Sequence, residues 1–342
     1  MRLSRFVEGR VQKYRLTRAA PNPSVSVLNM SMGSGKGKTI LFGEHFVLYG
    51  KPALAVGIAA ETVATVSRTK KAGWSLDDKR PEVPGYKKEK ADEQKVSIDN
   101  VVHYMGLDLS KEGIHIELGG DLVCASGIGA SAASCVAIAR AINQEFRLGY
   151  DDKRINAAAY EGEKGYHGTP SGIDNTVSTY GGLVSYQVDS KSGEAKFEAL
   201  KLGRPVHLVI AATGLTASTK KVVDDVRAKR EQNPVWFDRI LVQYDALVRD
   251  ARTALLKLDL KRVGEFMNLN HRLLQELTVS CPELDRLVEI ALRNGALGAK
   301  MTGTGRGGNM IALVSDRSSA HRVSDALRGA GAPDIWPTSF GV

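Results

Sequence analysis

Four short stretches of the chain concentrate residue types that handle phosphate or protons. Residues 167–175, HGTPSGIDN, are loaded with turn formers and end near a carboxylate, Asp174. Held by a stiff Pro-Ser-Gly turn, Asp174 would act as a general base or as an anion that orients a hydroxyl nucleophile. The plainer reading is a helix start, since Ser171 and Asp174 have the spacing of an N-cap and its third-residue partner. Residues 37–50, GKTILFGEHFVLYG, open a buried strand with Lys38 and leave two ionisable side chains, Glu44 and His45, at its far end. An ordinary solvated strand end looks the same.

The other two stretches are rich in glycine. In CASGIGASAA, residues 124–133, small residues precede a helical run. Gly127, Ile128, Gly129, Ala130, Ser131 and Ala132 would bring free backbone N–H groups and the positive end of the helix dipole to one point, a cradle for phosphate. The stretch is not a Walker A loop, because no Gly-Lys-Ser/Thr follows, and Ala132 takes the third glycine position of a dinucleotide fingerprint. A tightly packed strand-to-helix turn would use the same residues, and Ser131 could cap the helix as well as ligate a metal. KMTGTGRGGN, residues 300–309, places four glycines within six residues. Such a loop is costly to order unless its backbone touches a ligand or needs positive φ angles. A flexible hairpin is the alternative.

The elements that must carry these stretches alternate between strand-like and helical patterns, with no internal repeat, so the body is mixed α and β. Strands are predicted over 38–42, 54–58, 62–67, 113–118, 183–188, 206–212 and 309–314. Helices are predicted over 131–146, 153–165, 220–232, 234–257, 263–278 and 282–294. Weakly patterned residues 189–201 mark a domain boundary. The run 68–95 mixes lysines and arginines with acids around Pro81 and Pro84, and reads as a solvated insertion.

Composition narrows the function classes. With 342 residues, 43% hydrophobic and 25% charged, the chain is globular and long enough for about two domains. No run approaches the roughly 18 apolar residues of a membrane span. Three cysteines, Cys124, Cys135 and Cys281, lie among apolar or small residues without zinc-ligand spacing, which points to packing and a reducing compartment. The net charge of +9 is uneven: Arg2, Arg5, Arg10, Lys13, Arg15 and Arg18 face only Glu8 in residues 1–32, so over half the excess sits there. The body shows no interleaving of basic and aromatic residues, which argues against nucleic-acid binding. In the leader, Leu3, Phe6, Val7, Val11 and Tyr14 recur at helical steps between arginines, the composition of a mitochondrial presequence. That predicts the mitochondrial matrix if the leader is an address, and the cytoplasm if it is only a tail or an upstream extension before Met30 or Met32.

Taken in order, GKTILFGEHFVLYGKPALA, ASGIGASAA and KMTGTGRGGN resemble the three motifs of the GHMP kinase family. The resemblance covers about residues 33–340. Within the family, the pairing of GEH with HGTPSGIDNTVSTYGG is similar to the mevalonate kinase branch. The resemblance implies an α+β fold of two domains. One, over 33–195, is like the second domain of ribosomal protein S5; the other, over 196–342, is ferredoxin-like; the site lies in the cleft between them. It also implies ATP and Mg²⁺ as cofactors, and the 5-hydroxyl of mevalonate as acceptor, in a monomer or homodimer.

By motif position, the resemblance implies that Asp174 accepts or orients the hydroxyl proton and that Lys38 pairs with it. Residues Gly127 to Ala132 hold phosphate, and Ser131 and Glu163 ligate the metal. Glu44, His45, Thr216 and Gly305 approach the acceptor, with Ser218 and Thr219 lining the same pocket. The third motif, with Gly303, Gly307 and Gly308, closes over phosphates or acceptor. Four residues depart from the pattern: Lys36 replaces a proline, Ala130 a serine, Asn309 a small residue or cysteine, and Arg306 interrupts the glycine run. The alternatives are a related kinase of the phosphomevalonate or homoserine type, or a silent nucleotide or metabolite sensor. Retention of Lys38, Glu163 and Asp174 weighs against the sensor.

Overall fold

A computed structural model describes residues 31–83, 85–124, 127–189 and 192–341. The basic leader lies outside the described residues, apart from Ser31 and Met32, which open the first strand. From Ser31 onward the chain packs as one unit around two sheets.

The first sheet is built on one long strand. β1 (Ser31–Phe42) runs antiparallel to β2 (Ala53–Thr69), and β2 carries in one piece what the sequence pattern split into two strands. Its second half pairs with β4 (Gly113–Gly120) and its first half with β5 (Leu183–Val188), while β3 (Trp74–Asp78) and β6 (Ala195–Leu200) close the edges. Register slips between Lys36 and Lys38, which marks a bulge at Gly37. A bulge re-aims the side chains beyond it. Exposed Lys36 therefore reaches half-buried Glu61 at 3.9 Å, while Lys38 turns inward and is buried.

Helices α1 (Tyr86–Glu89), α2 (Ala91–Tyr104), α3 (Ala130–Phe146), α4 (Asp152–His167) and α5 (Ile173–Tyr180) accompany this sheet. The small side chains of α3 let it lie flat on β1: a Cβ at Gly35 would stand 2.2 Å from the Ala133 carbonyl. The charged run 68–95 is not simply a solvated insertion. It contains β3, α1 and the start of α2, with Arg80 only 5% exposed. The pattern was masked because α2 buries only Ser97, Ile98, Val101 and Val102, leaving a charged outer face.

The second sheet has the order β10-β7-β9-β8, antiparallel throughout, from β7 (Val206–Ala212), β8 (Gly298–Thr302), β9 (Asn309–Val314) and β10 (Ile335–Phe340). Counted within this half, that is the 4-1-3-2 order of a ferredoxin-like sheet. Between β7 and β8 come α6 (Thr219–Gln232), α7 (Pro234–Leu256), α8 (Leu260–Glu276) and α9 (Pro282–Arg293), and α10 (Arg317–Gly329) precedes β10. Helix α7 starts where Asn233 accepts the Trp236 N–H and Pro234 takes the first turn, which needs no donor there. The first sheet ends at Leu200 and the second begins at Val206, slightly beyond the expected 195/196 boundary.

One apolar cluster runs through both halves, from Leu41, Phe42 and Phe46 to Phe237, Tyr244 and the strands of the second sheet. Phe46 stacks on Tyr244 with ring centroids 3.9 Å apart, and the Tyr244 hydroxyl donates to the Pro52 carbonyl at 2.7 Å. Continuous burial across the halves fixes how the motif-bearing ends of β1, α3, α5 and β8 face each other.

Candidate active site

Lys38 and Asp174 meet. The bulge in β1 aims the Lys38 side chain at the first turn of α5, where Nζ lies 3.0 Å from Asp174 Oδ1. The lysine side chain is 9% exposed and the carboxylate 30%, so the pair is held from inside and open on the acid's side. Asp174 is not the cap partner of Ser171: the N-cap is Gly172, and Asp174 is the second helical residue. A carboxylate there is favoured by the N-terminal end of the helix dipole. The Tyr186 hydroxyl donates to the Ser171 carbonyl and braces the turn from below.

The phosphate cradle lies against the same lysine. Helix α3 is entered through Gly129 at φ 81°, with no side-chain cap and no acid in the first turn. Ser131 is therefore inside the helix and caps nothing, which removes the capping reading. A Cβ on Gly129 would come within 2.8 Å of Lys38 Cγ, and the Lys38 backbone N–H donates to the Ile128 carbonyl at 2.8 Å. Ile128 and Ala132 are buried and Ala130 is half-buried, so these residues contribute backbone groups and apolar packing at the turn. The free N–H groups at this uncapped, acid-free helix start suit an anion.

Glu163 is buried near the end of α4, and its Oε1 has no hydrogen-bond partner among the described residues. Its other oxygen lies 3.3 Å from His167 Nδ1, and this carboxylate raises the His167 pKa above its ordinary value. His167 in turn feels the charges of Asp174 and Lys38, which places Glu163 at the edge of the same site. An orphaned buried carboxylate oxygen is costly in a dry interior, and a bound cation would satisfy it. Together with the Ser131 hydroxyl, this donor chemistry fits a hard metal ion. Among the described residues, no group of three or more His, Cys, Asp or Glu side chains forms an alternative metal cluster.

Glu44 does not reach an open pocket. Its carboxylate is sealed at 0% exposure in an ion pair with Lys300 Nζ on β8, and Lys300 also donates to the Met301 carbonyl at 2.7 Å. Burial pushes the Lys300 ammonium down from its usual range, with Glu44 pulling the other way. The expectation that Glu44 touches the acceptor is therefore corrected: it braces the end of β1 against β8. Lys300 belongs to none of the roles expected from the motifs. A lysine within an apolar strand, GAKMT, was the available signal, because a buried ammonium requires a partner.

His45 sits at φ 61° just beyond β1, with Nε2 2.8 Å from the Thr304 carbonyl. A carbonyl only accepts, so Nε2 carries the proton. Burial lowers the His45 pKa, which keeps the ring neutral and leaves buried Nδ1, without a partner, as an acceptor. The ring's one N–H is thus committed to the glycine loop.

That loop is a fixed structure, neither a flexible hairpin nor a free lid. Thr304 shares a 2.8 Å hydrogen bond with Thr219, and the Gly308 N–H donates to the Leu215 carbonyl at 2.7 Å. Arg306 donates from its backbone to Val279, from Nε to Thr278 and from Nη1 to Asp225 of α6, so it fastens the loop instead of facing solvent. Gly305, expected to approach the acceptor, packs closely in the structure: a Cβ there would stand 2.0 Å from the Val279 carbonyl. Gly303 and Gly308, where a Cβ would meet nothing within 4 Å, are the positions open to a ligand. Thr216 lies exposed in the segment tied to Gly308, and Ser218 accepts from the Lys221 N–H to cap α6. Gly127 faces the start of β9, where its Cβ would lie 3.2 Å from Asn309 Nδ2, bringing cradle and glycine loop together.

The chain is similar to known proteins over most of its length. Residues 96–182 fit the family model of the GHMP kinases N terminal domain, and residues 251–332 that of the GHMP kinases C terminal. The mevalonate kinase of Thermococcus gammatolerans is 34% identical over 328 residues, covering 90% of this chain and 96% of the relative. That of Pyrococcus horikoshii is 34% identical over 320 residues, covering 88% and 92%. The crystal structure of L. major mevalonate kinase in complex with R-mevalonate superposes with a TM-score of 0.86 at 41% identity, covering 92% of this chain and 96% of that one. Similarity to these enzymes over about nine-tenths of the chain, with both family models matched, shows that the chain belongs to the GHMP kinase family, in its mevalonate kinase branch.

Proposed function

We infer that the chain transfers the γ-phosphoryl group of ATP to the 5-hydroxyl of mevalonate. The observation that carries the reading is the Lys38–Asp174 pair, 3.0 Å apart and open on the carboxylate side, set against an uncapped helix start. Phosphoryl transfer asks a protein mainly for positioning and charge neutralisation. The N–H groups at the start of α3 receive the phosphates. Asp174 takes the hydroxyl proton as the oxygen attacks the γ-phosphorus and the bond to the β-phosphate bridging oxygen breaks, releasing ADP. Lys38 orients Asp174 and offsets charge on the transferring group. His45 offers Nδ1 to a hydroxyl of the acceptor. Ser131 and Glu163 would hold Mg²⁺, which supplies further neutralisation of the phosphates; the orphaned Glu163 Oε1 supports this assignment.

The test is ATP consumption by the purified chain with magnesium against mevalonate, phosphomevalonate, homoserine, galactose and no acceptor. Turnover with mevalonate alone is expected. Turnover with phosphomevalonate or homoserine instead would move the acceptor assignment within the family, and silence across the panel with ATP still bound would overturn the enzyme reading.

A further inference from the structure

The segment after β3 grips the phosphate cradle on both flanks. Upstream of the cradle, the Cys124 N–H donates to the Pro81 carbonyl at 2.8 Å, and the Val83 N–H returns to the Cys124 carbonyl at 3.2 Å. Downstream, Arg80 Nη1 donates to the carbonyl of Ala130, the first residue of α3, at 3.2 Å. The rest of that guanidinium is a two-pronged contact: Nε and Nη2 reach the two oxygens of Asp78 at 2.9 and 2.6 Å. Asp78 is itself held by Gln94 at 2.9 Å, and Lys87 Nζ donates to the backbone carbonyls of Asp78 and Arg80 at 2.8 and 2.6 Å. The ion pair itself is interior, with the Arg80 side chain 4% and the Asp78 side chain 7% exposed.

The sign of the charge is informative. A cation beside a helix N-terminus opposes the dipole of that helix. It is tolerated here because Asp78 neutralises it, and the oriented pair turns its positive end toward the turn whose N–H groups would meet phosphate. An arginine suits the task where a lysine does not, since only a planar fork can engage both carboxylate oxygens and still direct a third donor at a carbonyl.

We propose that Arg80 is a positioning residue for ATP: it locks the first turn of α3 to β3, so that the cradle N–H groups are already aimed at the triphosphate. This rests on the cradle being the nucleotide site. Preorganisation of this kind is spent on the nucleotide and not on the acceptor, so it predicts a split between the two substrates.

Steady-state kinetics of Arg80→Lys tests it. The expected result is a KM for ATP raised by about tenfold, with kcat and the KM for mevalonate within about twofold of the parent. An unchanged KM for ATP in a variant that melts like the parent would overturn the proposal, as would equal rises in both KM values. The double variant Asp78→Asn with Arg80→Gln trades the ion pair for amides, and the same split is expected of it. If neither variant folds, hydrogen exchange on the unaltered chain decides. Mg-ATP should slow exchange at residues 78–83 together with 130–134, and protection of 130–134 alone overturns the coupling. No protection at either segment, with no turnover by the parent, removes the nucleotide reading and this proposal with it.

Discussion

Two lysine–carboxylate pairs stand at opposite ends of the same stretch of chain. Lys38 of β1 meets Asp174 with the acid 30% exposed, while Glu44, just past the end of β1, meets Lys300 with both side chains at 0%. The chemical groups are the same and the consequences differ. In the first pair the lysine is buried to hold a carboxylate that a substrate can reach. In the second, both charges are enclosed, and the pair ties β1 to β8 and so one half of the molecule to the other. Accessibility, and not the presence of an ion pair, separates the pair proposed for catalysis from the brace.

The largest test of that distinction is Asp174→Asn. It removes the proton acceptor while leaving the cradle, so kcat should fall by about 10³-fold with Mg-ATP binding unchanged. Rapid-quench turnover and equilibrium nucleotide binding measure the two separately. A variant that keeps near-normal turnover would strip Asp174 of its role.

Next in size is Glu44→Leu, which strands a buried ammonium and should cost about 3–5 kcal/mol in denaturant unfolding. Adding Lys300→Met should return most of the loss, because a buried pair replaced by apolar groups of similar volume is often no less stable. If Glu44→Leu unfolds like the parent but loses the mevalonate KM, Glu44 belongs with the substrate after all.

A third test uses pH on the sealed side. His271 lies behind β8 and accepts from the Met301 N–H at 3.3 Å; burial lowers its pKa from 6.5 to about 4. The unfolded chain therefore binds a proton that the folded one refuses. The stability is complete above pH 6.5 and falls as pH drops toward 4, by up to about 3 kcal/mol from this residue. Buried His45 adds in the same direction, whereas His167, raised by Glu163, contributes stability below pH 6.5 that is lost as pH rises through its folded pKa. Unfolding curves from pH 7 to 4.5 should show the decline, and His271→Gln should flatten part of it.

The smallest effect belongs to exposed Lys36, two residues from Lys38 but turned by the bulge toward Glu61 at 3.9 Å. Lys36→Ala should change stability by no more than about 0.5 kcal/mol and leave turnover within about twofold. A large loss of activity would mean that the bulge does not separate the two lysines.

Much of the scaffold was legible where a local pattern is strong. The strands at Leu183–Val188, Val206–Ala212 and Asn309–Val314 have the predicted ends, and the helix after the cradle begins one residue earlier than predicted. Other elements hid behind their composition. Gly298–Thr302 contains Lys300, Ile335–Phe340 contains Pro337, and α10 buries little beyond Ala320, Val323 and Leu327 among its hydrophobic side chains. Asp174 looked like the end of a loop because α5 is only eight residues long. In each case the periodicity was too short or too polar, and packing supplied the stability that propensity did not.

The amino-acid sequence by itself determined the inventory and its order: a lysine strand, a small-residue turn before a helix, a carboxylate after a Pro-Ser-Gly turn, and a glycine loop before a strand. Those are local properties, set by residue type and spacing. Only the tertiary structure decided the pairings. Glu44 and its partner are 256 residues apart, Arg80 and the Ala130 carbonyl 50, and nothing in either segment names the other. It also decided which groups stay open to solvent, since burial depends on what the remainder of the chain packs over them. The same two residue types thus became an open pair in one place and a sealed brace in another.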